Sequence, residues 1–331
     1  MMNKRQIAIL DMLKNADGLL TSPIITDALI KSGYDVSERM VRYYLSEMER
    51  HGHVDKSGKR GYAINESGLS TLKAEIVVER IGFLSAKIDQ MTYRMSFDLT
   101  RQTGTVVVNM TLVEPKYLRQ YFDMFTEVYR RGYAMGERLI IIKPGEKIGG
   151  IIVPPDKIAI GTVCSITLNG VLLKYGIPTN SRFGGLMQIQ NRKPVGFVDI
   201  ITYDGTSIDP LEIFIRSGMT SYIGAITNGF GRIGASFREF PASSAQTVKK
   251  IAKELVAIGL GGFLEIGKAN QPLFNIPVNE GRVGAVVIGG LNPVSIFEEN
   301  GIRVLSQTLA GLIEYERLFH YTELEKHLNA L

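Results

Sequence analysis

Apolar residues return at helical spacing from the start of the chain, with Ile7, Leu10 and Leu13 on one face between Lys4 and Ala16, and Asp17-Gly18 breaking the pattern. A second helix is predicted from Ser22, whose hydroxyl can cap the first turn, with Pro23 at the first helical position. Ile25, Ala28 and Leu29 face inward until Gly33 ends it. Ser37 caps a third helix. Along it Val41, Tyr44, Leu45 and Met48 share one face, and Arg39, Arg42, Tyr43 and Ser46 share the opposite one. Val54, the run Lys56-Ser57-Gly58-Lys59-Arg60, and then Tyr62 and Ile64 predict a short hairpin with a cationic tip. Three helices followed by a basic hairpin is the order of a winged helix-turn-helix, and residues 1–65 are assigned to such a domain.

The donors on the free face of the third helix can bond guanine edges or phosphate oxygens in a major groove. Lys56, Lys59 and Arg60 would sit beside phosphates, positioning the module without reading sequence. The bland reading of these residues is a small helical bundle with a solvated charged face, and the order of elements favours DNA over it. Glu38, Glu47 and Glu49 dilute the charge of the third helix, so tight binding calls for a dimer. From Asn65 a fourth helix is predicted, with Leu69, Leu72 and Ile76 spaced three and four apart, inside a linker helix and connection spanning 66–90. Its stripe suits either a rigid connector or a subunit contact that holds two readers one DNA turn apart, and makes this helix the expected lever of regulation.

Residues 91–331 are expected to form one internally duplicated α/β domain. Ile160-Gly161-Thr162-Val163 and Leu168-Asn169-Gly170-Val171 match Val283-Gly284-Ala285-Val286 and Leu291-Asn292-Pro293-Val294 at one constant offset. The copies run over about 92–190 and 216–313, each reading strand, helix, strand, strand, helix. The expected fold class is therefore α+β: a winged helix-turn-helix, then a pseudo-twofold regulatory domain with mixed sheets and a ligand cleft between its halves.

Composition narrows the function. With 45% hydrophobic and 21% charged residues the chain is an ordinary globular one. No apolar run reaches the roughly 20 residues of a membrane span, and the N-terminus opens polar, which sets the expectation of a soluble, unexported, cytoplasmic protein. The single Cys164 excludes an internal disulfide and cysteine-based zinc binding. A net charge of +5 is compatible with nucleic acid without proving it. All four histidines, His51, His53, His320 and His327, lie away from the middle of the chain, so no catalytic or metal site is expected. Asp199, Asp204, Asp209 and Glu212 read as turn formers rather than an acid–base pair, and the protein is expected not to be an enzyme.

Gly229-Phe230-Gly231-Arg232-Ile233-Gly234 is a literal dinucleotide fingerprint, but Ile233, Ala235 and Phe237 alternate like a strand where a helix should open. No cofactor is expected; a redox-sensing repressor holding a nicotinamide at these glycines is the alternative. Thr179, Ser181, Arg182, Gly184 and Gly185 instead suggest a carboxylate or phosphate cradle of hydroxyls, a guanidinium and closely approachable backbone N–H groups. The second copy has Arg303-Val304-Leu305 after Gly301 and no such cradle, the asymmetry one functional site would leave. Arg238 is either a second anion contact or half of a structural ion pair.

Ser181-Arg182-Phe183-Gly184-Gly185-Leu186, Asp209-Pro210-Leu211-Glu212 and Phe237-Arg238-Glu239-Phe240-Pro241-Ala242, in that order after a winged helix, resemble the archaeal nitrogen-regulatory repressor family, NrpR. The resemblance runs over nearly the whole chain. It implies repression of nitrogen-assimilation genes from inverted-repeat operators, with release by 2-oxoglutarate as effector. It also implies a homodimer or higher assembly, or action with a second family member, since this chain carries a single regulatory domain. The assignment of Arg182, the Gly184-Gly185 backbone and Arg238 to the two ends of a dicarboxylate is chemical inference, not a family motif.

Overall fold

The computed structural model describes residues 2–16, 18–31, 34–58, 60–79, 83–148 and 151–330. The chain divides into two compact units, Met1–Ile81 and Gly82–Leu331.

Unit 1 contains α1 (Lys4–Lys14), α2 (Ser22–Lys31), α3 (Glu38–Arg50), β1 (Val54–Lys56), β2 (Tyr62–Ile64) and α4 (Glu66–Glu79). Asn3 starts α1 with a reciprocal cap, its side chain accepting from Arg5 and Gln6 N–H while Gln6 accepts from Asn3 N–H. Asp17 and Gly33, expected to close the first two helices, lie outside the described residues. Ser37 caps α3 as expected, through Met40 N–H. Ser22 does not cap: α2 already includes it, Thr21 C=O accepting from Ile25 N–H, and its hydroxyl turns to α3 instead. Ile7, Leu10 and Leu13 pack on Ile25, Leu29, Val41, Leu45 and Met48, and Leu72 of α4 completes this core. The predicted linker helix is thus built into unit 1's own core. At its start Gly68 lies so close to His53 C=O that a Cβ would stand 2.0 Å from that oxygen.

Unit 2 begins with α5 (Phe83–Arg94), which buries Leu84, Ile88 and Met91, with Met95 just beyond it. The first half follows: β3 (Thr105–Val113), α6 (Pro115–Gln120), α7 (Phe122–Arg130), β4 (Arg138–Ile142), the small hairpin β5 (Lys147–Ile148) and β6 (Ile151–Ile152), β7 (Ile158–Val163), α8 (Ile166–Lys174) and β8 (Asn180–Gln190). β9 (Lys193–Thr202), α9 (Pro210–Arg216) and α10 (Tyr222–Thr227) join it to the second half. That half consists of β10 (Gly231–Pro241), α11 (Ala245–Ala257), β11 (Phe263–Ala269), β12 (Arg282–Ile288), α12 (Ser295–Glu299) and β13 (Leu305–Glu314). β14 (Phe319–His320) and α13 (Leu324–Asn329) end the unit. The duplication is a repeat of strand, helix, strand, strand, helix, strand, one strand longer than the sequence pattern suggests.

The two five-stranded sheets run β13-β3-β7-β4-β14 and β11-β12-β10-β8-β9. Each half therefore places its last strand in the other half's sheet: β8 pairs with β10, and β13 with β3. Mixed strand directions were expected, but every pairing described is antiparallel. The reason is insertion. Helix-linked β3 and β4 do run in the same direction, yet β7 lies between them and is antiparallel to both, and β12 separates β10 from β11 in the same way.

Candidate nucleic-acid interface and regulatory site

On α3 the apolar positions three and four apart fix the helix onto the core, which leaves Arg39, Arg42, Tyr43 and Ser46 exposed on one face. Tyr43 is 61% exposed, which leaves its ring accessible to a groove contact. Arg42 is engaged within the reader: its Nη2 lies 2.6 Å from Glu38 Oε1 and its Nε donates to Ser22 Oγ at 3.2 Å. Glu47 accepts from Tyr43 OH and Gln6, so the acids noted in the sequence act as local partners of the donors. Arg39 has no partner among the described residues. The wing is a two-stranded antiparallel pair with Lys56 opposite Tyr62, widened by a bridge from Leu20 to Tyr62. Lys56 lies over the Tyr62 ring and Arg60 is exposed at the tip; Lys59 lies outside the described residues.

The anion cradle expected around Arg182 is divided between two faces of one sheet. Along β10, Phe237 and Glu239 project to one side and Arg238 to the other, following the strand's period of two. Arg182 joins the first side: it pairs with Glu239 at 2.7 Å, donates to Pro277 C=O at 2.6 Å and lies over the Phe237 ring. Glu239 is wholly buried and also accepts from Asn279. Arg238, 1% exposed, donates to Ser165 C=O and Ser165 Oγ at 2.8 and 2.7 Å and to Asn169 Oδ1. Ser181 shares Asn169 with it. The close approach that Gly184 and Gly185 permit is used by the chain itself: a Cβ would stand 2.9 Å from Pro210 and 2.5 Å from Asp199 C=O, respectively. Thr179 Oγ1 is buried without a partner among the described residues. Arg182 and Arg238 thus serve two different internal networks, and neither presents a free guanidinium to one shared ligand.

Beside Ser165, which accepts from Arg238, lies a small cavity lined also by Cys164, Tyr203, Asp209, Asn109 and Leu309, with room for about one water. Burial pushes the Cys164 thiol up to about 12 and the Tyr203 phenol well above its usual range, so neither is a nucleophile at neutral pH. Burial likewise pushes Asp209 up to about 6, against the N-cap bond it accepts from Leu211 N–H at 2.8 Å. Asp209 keeps some surface exposure as a residue, but its lining position in the cavity makes desolvation of the carboxyl decisive.

The glycines of the dinucleotide fingerprint fall mostly inside β10, where Gly234 N–H bonds Tyr222 OH at 2.5 Å. A strand occupies the place where the fingerprint requires a helix N-terminus. Among the described residues no group of three or more histidines, cysteines or acids is placed to hold a metal ion, and no helix is long and apolar enough to cross a membrane.

One feature escaped the sequence pattern. Helix α5, which straddles the expected end of the linker at residue 90, packs on α8 and β13 within unit 2. It lines one wall of a groove of about 460 Å³ with Lys87, Gln90 and Arg94, the other wall being Gln307, Leu309 and Gly311 of β13. The apolar spacing of Leu84, Ile88, Met91 and Met95 was the available signal.

Comparison with known proteins agrees with this division. The family model for NrpR regulatory domains NRD1 and 2 matches residues 81–320, and that for the ribonuclease R winged-helix domain matches residues 7–72. The global nitrogen regulator NrpRI of Methanosarcina mazei is 32% identical over 315 residues, covering 95% of this chain and 97% of that protein. The global nitrogen regulator NrpR of Methanococcus maripaludis is 32% identical over 295 residues, covering 89% of this chain but 51% of the relative, so the chain spans about half of that longer protein. A crystal structure of a nitrogen repressor-like protein from Methanococcus jannaschii aligns with a TM-score of 0.59 at 28% identity, covering 71% of this chain and 97% of that one. The relatives are named as regulators rather than enzymes. With a regulatory-domain match over most of its length and a relative of nearly equal extent, the chain belongs to the NrpR family.

Proposed function

We propose that this protein is a cytoplasmic transcriptional repressor of nitrogen-assimilation genes that binds inverted-repeat operator DNA through unit 1 and is released by 2-oxoglutarate bound to unit 2. The observation that carries the reading is the exposed donor face of α3 beside a cationic wing, in one chain with an NrpR regulatory domain. Arg39, Arg42, Tyr43 and Ser46 would meet base edges and phosphates, with Lys56, Lys59 and Arg60 on flanking phosphates. The chain acts as a homodimer or with a second family member, because an inverted repeat presents two half-sites. The effector releases DNA by favouring a state whose readers no longer match the half-site spacing, as a ligand shifts an equilibrium only through its differential affinity.

Mobility shift on promoter DNA of nitrogen-assimilation genes, at fixed salt, tests this directly. Binding reversed by 2-oxoglutarate and not by succinate supports the whole reading. Binding indifferent to both keeps the DNA reader and removes the effector; absence of binding removes the reader.

A further inference from the structure

We propose that the groove between α11 and β11 is a docking site for an extended acidic segment of a partner protein, which adds to β11 as a sixth strand of its sheet. The internal duplication shows what such an edge receives. In the first half, β4 has β7 on one side and β14 on the other, where Phe319 pairs with Leu139 and His320 with Arg138. In the second half, β11 takes the place of β4 and β12 that of β7, but β11 ends its sheet, with no described strand on its outer edge. The ladders fix the correspondence. Leu139 pairs with Thr162 and Ile266 with Ala285, and Thr162 and Ala285 are matched positions of the repeat, so Ile266 stands where Leu139 stands. A segment beside Ile266 and Glu265 would repeat what β14 does beside Leu139 and Arg138.

The helices agree with the strands. After α7, Gly132 with φ +70° donates to Tyr129 C=O, and after α11, Gly259 with φ +76° donates to Val256 C=O, so Val256 stands where Tyr129 stands. Tyr129 is buried and its ring stacks on Tyr321, directly after β14. Val256 is 64% exposed and lines the groove, as an apolar side chain whose counterpart is covered. No described segment of the chain covers it. The groove has a volume of about 830 Å³, with Lys249, Lys250 and Lys253 along the helix and Glu265 as the acid on the strand. Lys250 faces Glu254, whereas Lys249 and Lys253 form no ion pair with a described residue and lie four apart on one face of α11. Three lysines against one lining acid favour an acidic segment, and the outer N–H and C=O groups of β11 favour an extended one.

The test is fluorescence anisotropy of the full chain with a fluorescein-labelled octapeptide of alternating glutamate and phenylalanine as probe. Its controls are the same peptide with lysine for glutamate, and two versions N-methylated at one or the other set of alternate amides. The acidic peptide is expected to bind, less tightly as salt rises, and the lysine peptide to fail. Of the methylated pair, the one whose methyl groups meet β11 is expected to fail, because a strand's ladder donors alternate in direction. Lys249→Glu and Lys253→Glu are each expected to weaken binding about two- to fivefold, and together about tenfold, the scale of exposed ion pairs. Both side chains are exposed, so thermal unfolding should not change. No binding by the unaltered chain, equal binding by the lysine variants, or equal binding of both methylated peptides overturns the proposal. Sedimentation velocity run in parallel identifies a competing occupant: a peptide that binds only as subunits separate makes a second copy of the chain the occupant, which also overturns it.

Discussion

Arg238 keeps a cation out of water with neutral acceptors around it, and its Nε finds no partner among the described residues. Arg238→Ala is therefore expected to cost stability, by roughly 3–5 kcal/mol in urea unfolding, as when a member of a buried polar network is removed. A variant as stable as the parent would show the network to be dispensable. Asp209 gives a pH dependence of known sign. Its carboxyl titrates near 6 when folded and about 3.9 when unfolded, so the native state holds the proton more tightly. Stability accordingly falls as pH rises from about 4 to about 6 and levels off above. Asp209→Asn keeps an acceptor for Leu211 N–H and should be more stable than the parent by about 1–3 kcal/mol at pH 7, with no gain at pH 4. Equal melting at pH 7 would contradict the burial of that carboxyl. On the reader, Glu38→Gln frees Arg42 from its pair and should tighten operator binding about two- to fivefold at low salt, the scale of an exposed ion pair. Weakened binding would instead mean that Glu38 holds Arg42 in the reading geometry.

Among elements, the strand-to-helix turns of the two halves meet closely at one point. Gly290 lies against the first half's turn, where a Cβ would stand 2.4 Å from both Asn109 Nδ2 and Val163 C=O. Gly290→Ala should destabilise unit 2 by about 1–3 kcal/mol, the usual cost of overpacking, and a silent substitution would mean that the turns can separate. The sequence pattern was informative wherever one element faces one core. It placed α1 to α3 and the wing closely, because apolar spacing reports which face a helix buries. It did not place α5, whose stripe straddles the expected boundary at residue 90 between connector and regulatory domain, nor the exchange of β8 and β13, since alternation reports a strand's buried face and says nothing of its neighbours. The anion cradle failed for a related reason. Arg182 and Arg238 come from paired strands and were joined by their chemistry, but the pleat sends them to opposite faces. The fold of unit 1 and its donor face were thus legible, whereas the groove between α5 and β13 was not, because its walls come from residues more than two hundred positions apart.

At the scale of the molecule, unit 2 is a duplication whose copies have diverged at equivalent places. Gly161 pairs with Met110, and its counterpart Gly284 pairs with Glu239, so Asn109 and Arg238 occupy the same site in the two halves. Asn109 Oδ1 accepts from Leu309 N–H where β13 shifts register against β3; Arg238 ties β10 to α8. Because each sheet borrows a strand, neither half is expected to fold alone: residues 83–204, expressed separately, should be insoluble or dimerise by strand exchange. A soluble folded monomer of that fragment, seen by size-exclusion and circular dichroism, would refute this. Joining two strand-swapped subunits end to end yields this topology, and the 191–230 segment is the seam. Ancestry of that kind leaves a mark on inheritance. Once fused, the two subunits no longer share one gene sequence, and a residue needed once, such as Arg238, escapes the obligation to be correct twice.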